Sequence, residues 1–132
     1  LMASVDDPGL YVLDYVPNAS ADAIDQVGEH FFRIIRDAHP EVPVVFIEDV
    51  IFPHTIFDNK IREEVTKKNV AQKRLFKKLK QSGEKRIYYI SAEGMIGDDG
   101  EATVDAIHFT DLGAMRYVDH VLPLIKRALR CH

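Results

Sequence analysis

The chain has 132 residues, of which 46% are hydrophobic and 29% charged, with a formal net charge of −4 and a single cysteine, Cys131. This length and composition suit one globular domain with one core and exclude an intrinsically disordered chain. The slightly acidic balance excludes a general attraction to nucleic acid, the lone cysteine excludes an internal disulfide and a multi-cysteine metal site, and no apolar run approaches the roughly 20 residues of a membrane span.

The first predicted strand is residues 10–16, a nearly continuous apolar run after the turn signal Asp7-Pro8-Gly9. A helix follows, because Ser20 is a good N-cap and apolar residues then recur at helical spacing. Residues 39–43, with two prolines, end this helix. We expect its buried stripe to consist of Ile24, Val27, Phe31, Ile34 and Ile35.

The second predicted strand is residues 44–49, and an unusually apolar loop, residues 50–57, follows it. A second helix is predicted over residues 60–81, where Ser82-Gly83 ends it. Asn69 interrupts its apolar face and is a candidate for a hydrogen bond near the edge of the sheet. That face comprises Ile61, Val65, Gln72, Leu75, Phe76 and Leu79.

The third predicted strand is residues 86–91, and a loop rich in Gly and Asp separates it from the last helix, residues 111–130. Thr110 is the natural N-cap of this helix. Its predicted buried face consists of Leu112, Met115, Val118, Leu122, Ile125 and Leu129.

The order βαβαβα with short connections predicts a parallel sheet with helices on both faces, a three-layer α/β fold. Strands this apolar are normally paired at both edges. The first strand carries no lysine, proline or inward charge before Asp14, so it is a poor edge strand. We therefore expect an upstream strand or a partner chain to cover that edge.

Polar residues follow each predicted strand. Asn18 follows the first strand, Pro53 and His54 follow the second, and Asp105 and His108 close the loop after the third. Because ligands of parallel α/β folds bind at the C-terminal ends of the strands, these residues should share one edge of the sheet. Asp105 lies three residues before His108, so its carboxylate can accept a hydrogen bond from Nδ1–H and leave Nε2 free as a base. The structural alternative is a turn-capping aspartate beside a surface histidine.

Two stretches resemble a known family. "DAIHFTDLGAMRYVDHVLPLIKRAL" resembles the last signature block of the SGNH, or GDSL-type, hydrolases, where an Asp-x-x-His pair precedes the C-terminal helix, and "YVLDYVPN" resembles the block with the family's Asn. The resemblance covers nearly the whole chain and implies a flavodoxin-like sheet, here as a partial domain with three strands. It implies that residues 1–132 are the C-terminal part of a single SGNH hydrolase-like domain.

The resemblance also implies roles for individual residues. His108 would be the general base that activates a serine, Asp105 would orient it, and the Asn18 amide would donate to the oxyanion hole. The commoner block reads Gly-x-Asn-Asp, whereas this chain has Val16-Pro17-Asn18-Ala19, so Asn18 also has an alternative as a turn residue. No cofactor is implied.

The nucleophile of this family lies in a Gly-Asp-Ser-like block, which this chain lacks. Its serines are confined to positions 4, 20, 82 and 91, and none has suitable neighbours. We therefore expect a fragment of an ester-hydrolysing enzyme that is inactive alone and active with the missing N-terminal half of the domain. The ester substrate, whether an acetylated sugar, a lipid or a small ester, stays open, as does the localisation of the protein.

Two alternatives to an esterase remain: a non-catalytic α/β interaction module and an anion-binding module. The second rests on residues 60–86, which carry 11 Lys/Arg against 3 Asp/Glu, although a solvated helix face explains the same pattern. Pro53 and His54 either line a substrate pocket or belong to a loop packed over the core. We assign no metal, because the spacing of His30, His39, His120 and His132 around Cys131 fits no metal site.

Overall fold

The computed structural model describes residues 1–130 and confirms the predicted order of elements. The strands are β1 (Tyr11–Leu13), β2 (Val44–Ile47) and β3 (Ile87–Ile90). The helices are α1 (Ala21–Ala38), α2 (Asn59–Gln81) and α3 (Asp111–Arg130). Short 3-10 helices lie at Met2–Ser4, Val16–Asn18 and Pro53–Ile56. Cys131 and His132, which entered the metal assignment, lie outside the described residues.

The three strands form one parallel sheet in the order β1-β2-β3. Tyr11 pairs with Val44, and Val44 pairs with Ile87, so the three strands begin at the same level of the sheet. Their C-terminal ends, and the loops that follow them, therefore lie at one edge, where the candidate site residues were expected.

Helices cover both faces of β2, whose four residues are all buried. Phe46 lies in a core with Phe32 of α1 and Leu79 of α2, and Val45 lies in a second core with Val121 of α3. Side chains of β2 alternate between these two cores, which explains why its sequence is a continuous apolar run. The predicted three-layer α/β fold is confirmed.

β1 is shorter than the predicted residues 10–16, because only two residues separate its end from the start of the 3-10 helix Val16–Asn18. Pro17 occupies its first turn, where a missing N–H costs nothing. Val16 is nevertheless fully buried, so its apolar side chain packs in the core although Val16 is not part of the strand.

The predicted buried stripe of α1 is partly wrong. Val27 is 56% exposed and Ile34 is also exposed, whereas Phe32 is fully buried. The reason is the close approach of α2, since a Cβ at Gly28 would lie 2.7 Å from the Leu75 side chain. The buried face of α1 is therefore turned towards α2. The predicted face of α2 is confirmed in its buried residues Val65, Gln72, Leu75 and Leu79.

The predicted buried face of α3 is largely wrong. Met115 is 64% exposed, and Leu112, Val118 and Leu129 are exposed as well. The residues of α3 that are buried are Gly113, Val121 and Ala128. The helix therefore lays a face of mainly small residues on the sheet and leaves a larger apolar face without a partner in residues 1–130.

Both α1 and α3 leave apolar residues exposed. On α1, Val27 and Phe31 line an apolar groove of about 240 Å³ on the flank opposite Asp25 and Glu29, whose carboxylates pair with α2. Tyr15, which follows β1, also lines this groove, and β1 has no second neighbouring strand among residues 1–130.

α3 likewise has an exposed apolar flank. Val118 and Met115 project on the flank opposite Arg116 and His120, which contact the segment after β3. The unpaired edge of β1 and the adjoining groove along α1 together form what we call the open side of the molecule.

Candidate active site

Asp105 and His108 form a direct pair. Asp105 Oδ2 lies 2.6 Å from His108 Nδ1, while Asp105 Oδ1 accepts hydrogen bonds from the backbone N–H groups of Ile107, at 3.0 Å, and His108, at 2.7 Å. One carboxylate therefore holds both the imidazole and the backbone that carries it. The His108 side chain is 77% exposed, so Nε2 is left accessible to a reacting group.

The same hydrogen bonds keep Asp105 ionised. The backbone N–H of His108, then its imidazole and then the N–H of Ile107 lower the pKa of Asp105 from its ordinary value of 3.8 to about 2. The carboxylate is thus available as a hydrogen-bond acceptor throughout the physiological pH range. This arrangement fixes the ring orientation that a general base needs.

The backbone around this pair is a tight hairpin, residues 103–109, which we call the histidine turn. Thr103 and Phe109 form an antiparallel bridge, and the N–H of Val104 donates to the His108 carbonyl at 2.9 Å. Ala106, between the acid and the base, has a φ of +74°. A left-handed conformation costs a residue with a side chain about 1–2 kcal/mol, so the neighbouring hydrogen bonds must hold this turn.

The N-terminus of α3 anchors the histidine turn. Thr110 is the predicted N-cap, and the structure confirms it: its Oγ1 accepts from the N–H of Gly113 at 3.0 Å and donates to the Glu101 carbonyl at 2.9 Å. The N–H of Thr110 donates to the Ala102 carbonyl at 3.0 Å. A Cβ at Gly113 would lie 1.9 Å from that carbonyl oxygen, so only glycine allows this contact.

Arg116 fixes the loop that precedes the histidine turn. Its guanidinium makes a two-pronged contact with Asp99, at 2.7 and 2.6 Å, and donates to the Ile96 carbonyl at 3.0 Å. This hydrogen-bonded guanidinium holds the pKa of Asp99 well below its usual range. The Gly- and Asp-rich loop is thus a turn that Arg116 holds against α3.

A second link joins the histidine turn to the end of β1. The ring of Phe109 lies 5.5 Å from the ring of Tyr117, and the Tyr117 hydroxyl donates to Asp14 Oδ2 at 2.6 Å. Burial, followed by the hydrogen bond to Asp14, raises the pKa of Tyr117. Asp14 is four residues before Asn18, so the acid–base pair and the Asn18 turn belong to connected parts of one edge.

Asn18 is the last residue of the 3-10 helix Val16–Asn18 and is exposed. Its backbone N–H donates to the Tyr15 carbonyl at 2.9 Å, and the carbonyl of Pro17, just before it, accepts from Lys68 Nζ at 3.1 Å. Within residues 1–130 its side-chain amide has no hydrogen-bond partner. The amide is therefore free to donate to a ligand.

Pro53 and His54 differ in their placement. Pro53 lines a mainly apolar cleft of about 510 Å³ between the segment after β2 and residues 92–98. His54 does not line this cleft, and its ring lies 5.8 Å from the ring of Phe52. The walls of the cleft include Ile51, Phe52, Ile56, Met95 and Ile96.

Two buried polar residues, Glu48 and Asn69, hold the strand ends in place, and the sequence interpretation had not assigned Glu48. Glu48, after β2, accepts from the Tyr89 hydroxyl at 2.6 Å and from the N–H of Ala92 at 2.9 Å. Asn69 of α2 accepts from the N–H of Asp49 at 2.7 Å and donates to its carbonyl at 2.8 Å, which confirms the expected hydrogen bond near the sheet edge. The sequence feature that could have identified Glu48 is its position as an acidic residue directly after an apolar strand.

No serine of the chain bonds to His108. Ser20 caps α1 by accepting from the N–H of Ala23 at 3.1 Å, and Ser91 donates to Glu48 at 3.3 Å. Ser4 and Ser82 donate to backbone carbonyls within three residues. Among residues 1–130, no three His, Cys, Asp or Glu side chains converge as metal ligands. In the same part of the chain, no helix has the length and apolarity to cross a bilayer.

The two comparisons that found a match agree on one family of proteins. The family model described as GDSL-like lipase/acylhydrolase matches residues 1–126. A crystal structure of a protein named as a GDSL-like lipase from Bacteroides ovatus superimposes with a TM-score of 0.92 at 31% sequence identity. The match covers 98% of this chain and 38% of that one. No curated protein matched the chain.

Proposed function

Because the chain belongs to the GDSL-like lipase/acylhydrolase family, a family of hydrolases, we propose that it supplies the acid–base part of a serine esterase site. The observation that carries this proposal is the hydrogen-bonded pair of Asp105 and His108 at the start of α3. Nothing else in residues 1–130 combines an accessible imidazole nitrogen with a carboxylate that fixes the opposite nitrogen.

The reaction follows from this geometry. A serine Oγ attacks the ester carbonyl carbon while His108 Nε2 takes the serine proton, and the protonated imidazole then gives that proton to the departing alcohol oxygen. Asp105 keeps the proton of Nδ1 in place and stabilises the imidazolium. Water repeats the cycle on the acyl-serine and releases the acid. The Asn18 amide donates to the oxyanion, where one such donor is worth about 10²–10³ in kcat.

The serine, in this proposal, lies on a strand that pairs with the free edge of β1. Three features support it: the unpaired β1 edge, the apolar groove along α1 and the exposed apolar flank of α3. The structural neighbour from Bacteroides ovatus is also much longer than this chain, which spans 38% of its length. The 132-residue chain alone is then inactive, and the missing part of the domain completes the site.

The cleft lined by Pro53 is the proposed site for the acyl or sugar-ring part of the ester. It lies at the same edge as the histidine turn, and its size is in the range of small-molecule sites. Acetyl esters of sugars and lipid esters both have an apolar part that fits such walls. His54 belongs to the same loop but does not line the cleft.

The anion-binding alternative receives less support. Arg74 and Lys78 of α2 form ion pairs with Asp25 and Glu29 of α1, at 3.1 and 2.6 Å. These pairs neutralise part of the basic face that the sequence pattern suggested. Salt-dependent binding of a polyanion that charge reversal at Lys73, Arg74 and Lys77 abolishes would support that alternative instead.

A fluorophosphonate probe tests the proposal, because it labels an activated serine covalently. We expect the longer protein that carries this chain to be labelled at a serine outside residues 1–132, and His108→Ala to prevent labelling. His30→Ala, which changes an exposed histidine of α1, is the matched control and should label normally. Labelling inside residues 1–132, or histidine-dependent ester turnover by the purified 132-residue chain, would contradict it.

A further inference from the structure

The turn that presents Asn18 is held by one helix. The Tyr15 hydroxyl donates to Gln72 Oε1 at 2.7 Å, and Lys68 Nζ donates to the Pro17 carbonyl at 3.1 Å. Lys68 and Gln72 are four residues apart on α2, so they occupy the same face one turn apart. Gln72 is fully buried, whereas the Lys68 side chain is 13% exposed.

The contact made by Lys68 acts on the peptide group directly before Asn18. The carbonyl of Pro17 and the N–H of Asn18 belong to the same planar peptide unit. Its N–H end is bonded to the Tyr15 carbonyl at 2.9 Å, and its carbonyl end is bonded to Lys68. With both ends held and the φ of Pro17 restricted by its ring, the orientation of the peptide unit that leads into Asn18 is restrained in part by Lys68.

We infer that Lys68 is a positioning residue for the oxyanion donor Asn18: its ammonium group clamps the Pro17–Asn18 peptide and so aims the Asn18 amide at the reacting carbonyl. This inference rests on the proposed function, because it presumes that Asn18 contributes to an oxyanion hole. Donors act there only when they are placed in advance of the reaction, and small displacements are costly.

The surroundings of Lys68 suit this role. Glu64 lies 3.7 Å from its Nζ, and the charge of Lys68 also acts on Asp49, a buried carboxylate after β2. Burial raises the pKa of Asp49, and the nearby ammonium opposes that rise. Asn69 fixes the backbone of Asp49 from the same helix. α2 therefore bonds the backbone of the segments that follow both β1 and β2.

Steady-state kinetics of ester hydrolysis by the longer protein tests the role of Lys68. We expect Asn18→Ala to lower kcat by about 100-fold, and Lys68→Met and Lys68→Gln by about tenfold, with KM within about twofold of the parent value. Lys68→Arg keeps a donor on the same stem and should restore most of kcat. Lys67→Met, a change at the exposed neighbouring lysine, is the matched control and should leave kcat unchanged.

A double mutant separates positioning from a general structural effect. If Lys68 acts through Asn18, Lys68→Met lowers kcat no further in an Asn18→Ala background. Additive losses, or an unchanged kcat in Lys68→Met while Asn18→Ala is impaired, would overturn the positioning role and leave the esterase proposal intact. An unimpaired Asn18→Ala enzyme that still depends on His108 removes the oxyanion role of Asn18 and the role of Lys68 with it. Activity that persists in His108→Ala overturns the proposed function itself.

Discussion

At the residue scale, a single carboxylate organises the proposed acid–base pair. Asp105 uses one oxygen for two backbone N–H groups and the other for the imidazole of His108. The sequence spacing predicted the second contact. It did not predict the first, nor the left-handed Ala106 between the two residues, because both depend on the path of the hairpin.

Asp105→Asn should abolish most activity of the longer protein while the fold survives. The amide oxygen can still accept from the backbone, but an amide N–H facing Nδ1 favours the wrong tautomer of His108. We expect kcat to fall by about 10³–10⁴-fold. The thermal midpoint, followed by circular dichroism, should change little. Full activity in this variant would remove the orienting role of Asp105.

The ionisation of Asp105 gives a pH signature. Its pKa is lowered from 3.8 to about 2 in the folded chain. The ionised carboxylate therefore adds to the free energy of unfolding above about pH 4, and this contribution is lost as the pH falls towards 2. A carboxyl-carbon NMR titration should therefore show a midpoint near 2. In His108→Ala the pKa should rise, although the two backbone N–H groups keep it below 3.8. A midpoint of 3.8 in the unmodified chain would contradict the geometry.

Gly113→Ala tests the contact between α3 and the Ala102 carbonyl. Alanine favours a helix by about 1 kcal/mol over glycine, but its Cβ would lie 1.9 Å from the carbonyl oxygen. Overpacking costs about 1–3 kcal/mol, so we expect a net loss of stability in urea denaturation. Gly9→Ala is the control, because a Cβ there meets nothing within 4 Å. Equal stability of both variants would show that the histidine turn tolerates a shift of α3.

At the element scale, the predictions that succeeded depended on local patterns, and those that failed depended on distant partners. The four residues of β2 could be read as buried because a strand between two helical layers is apolar throughout. The stripe of α1 was partly wrong and that of α3 largely wrong, because apolar residues such as Val27 and Met115 are exposed. Helical spacing alone cannot say which of two apolar faces meets the sheet.

Asn69 shows how a polar residue on a helix can serve a strand. Its side chain bonds both backbone groups of Asp49 as a neighbouring strand would. Asn69→Leu leaves these two groups unsatisfied, and each costs about 1–3 kcal/mol. We expect a loss of at least about 2 kcal/mol in urea denaturation, compared with a negligible change for Val70→Leu at the exposed neighbouring position. If Asn69→Leu left the free energy of unfolding unchanged, water would have to bond the two backbone groups of Asp49 in place of the amide.

At the scale of the whole molecule, the open side is the free edge with which the proposed serine-bearing strand would pair. The sequence pattern indicated a poor edge strand, and the structure adds an apolar groove along α1 that adjoins the end of this strand. The position of the proposed serine could not be predicted, because none of the serines at 4, 20, 82 and 91 has the neighbours of a Gly-Asp-Ser-like block.

Ester hydrolysis by the longer protein, with and without His108→Ala, tests the central claim most directly. We expect the substitution to lower kcat/KM by at least about 10³-fold, because the proton of the attacking serine then has no acceptor, while the thermal midpoint is retained. If His108 were only an exposed residue of a turn with no chemical role, the substitution would leave kcat/KM unchanged. Undiminished kcat/KM in His108→Ala would contradict the assignment of this chain as the acid–base part of the site.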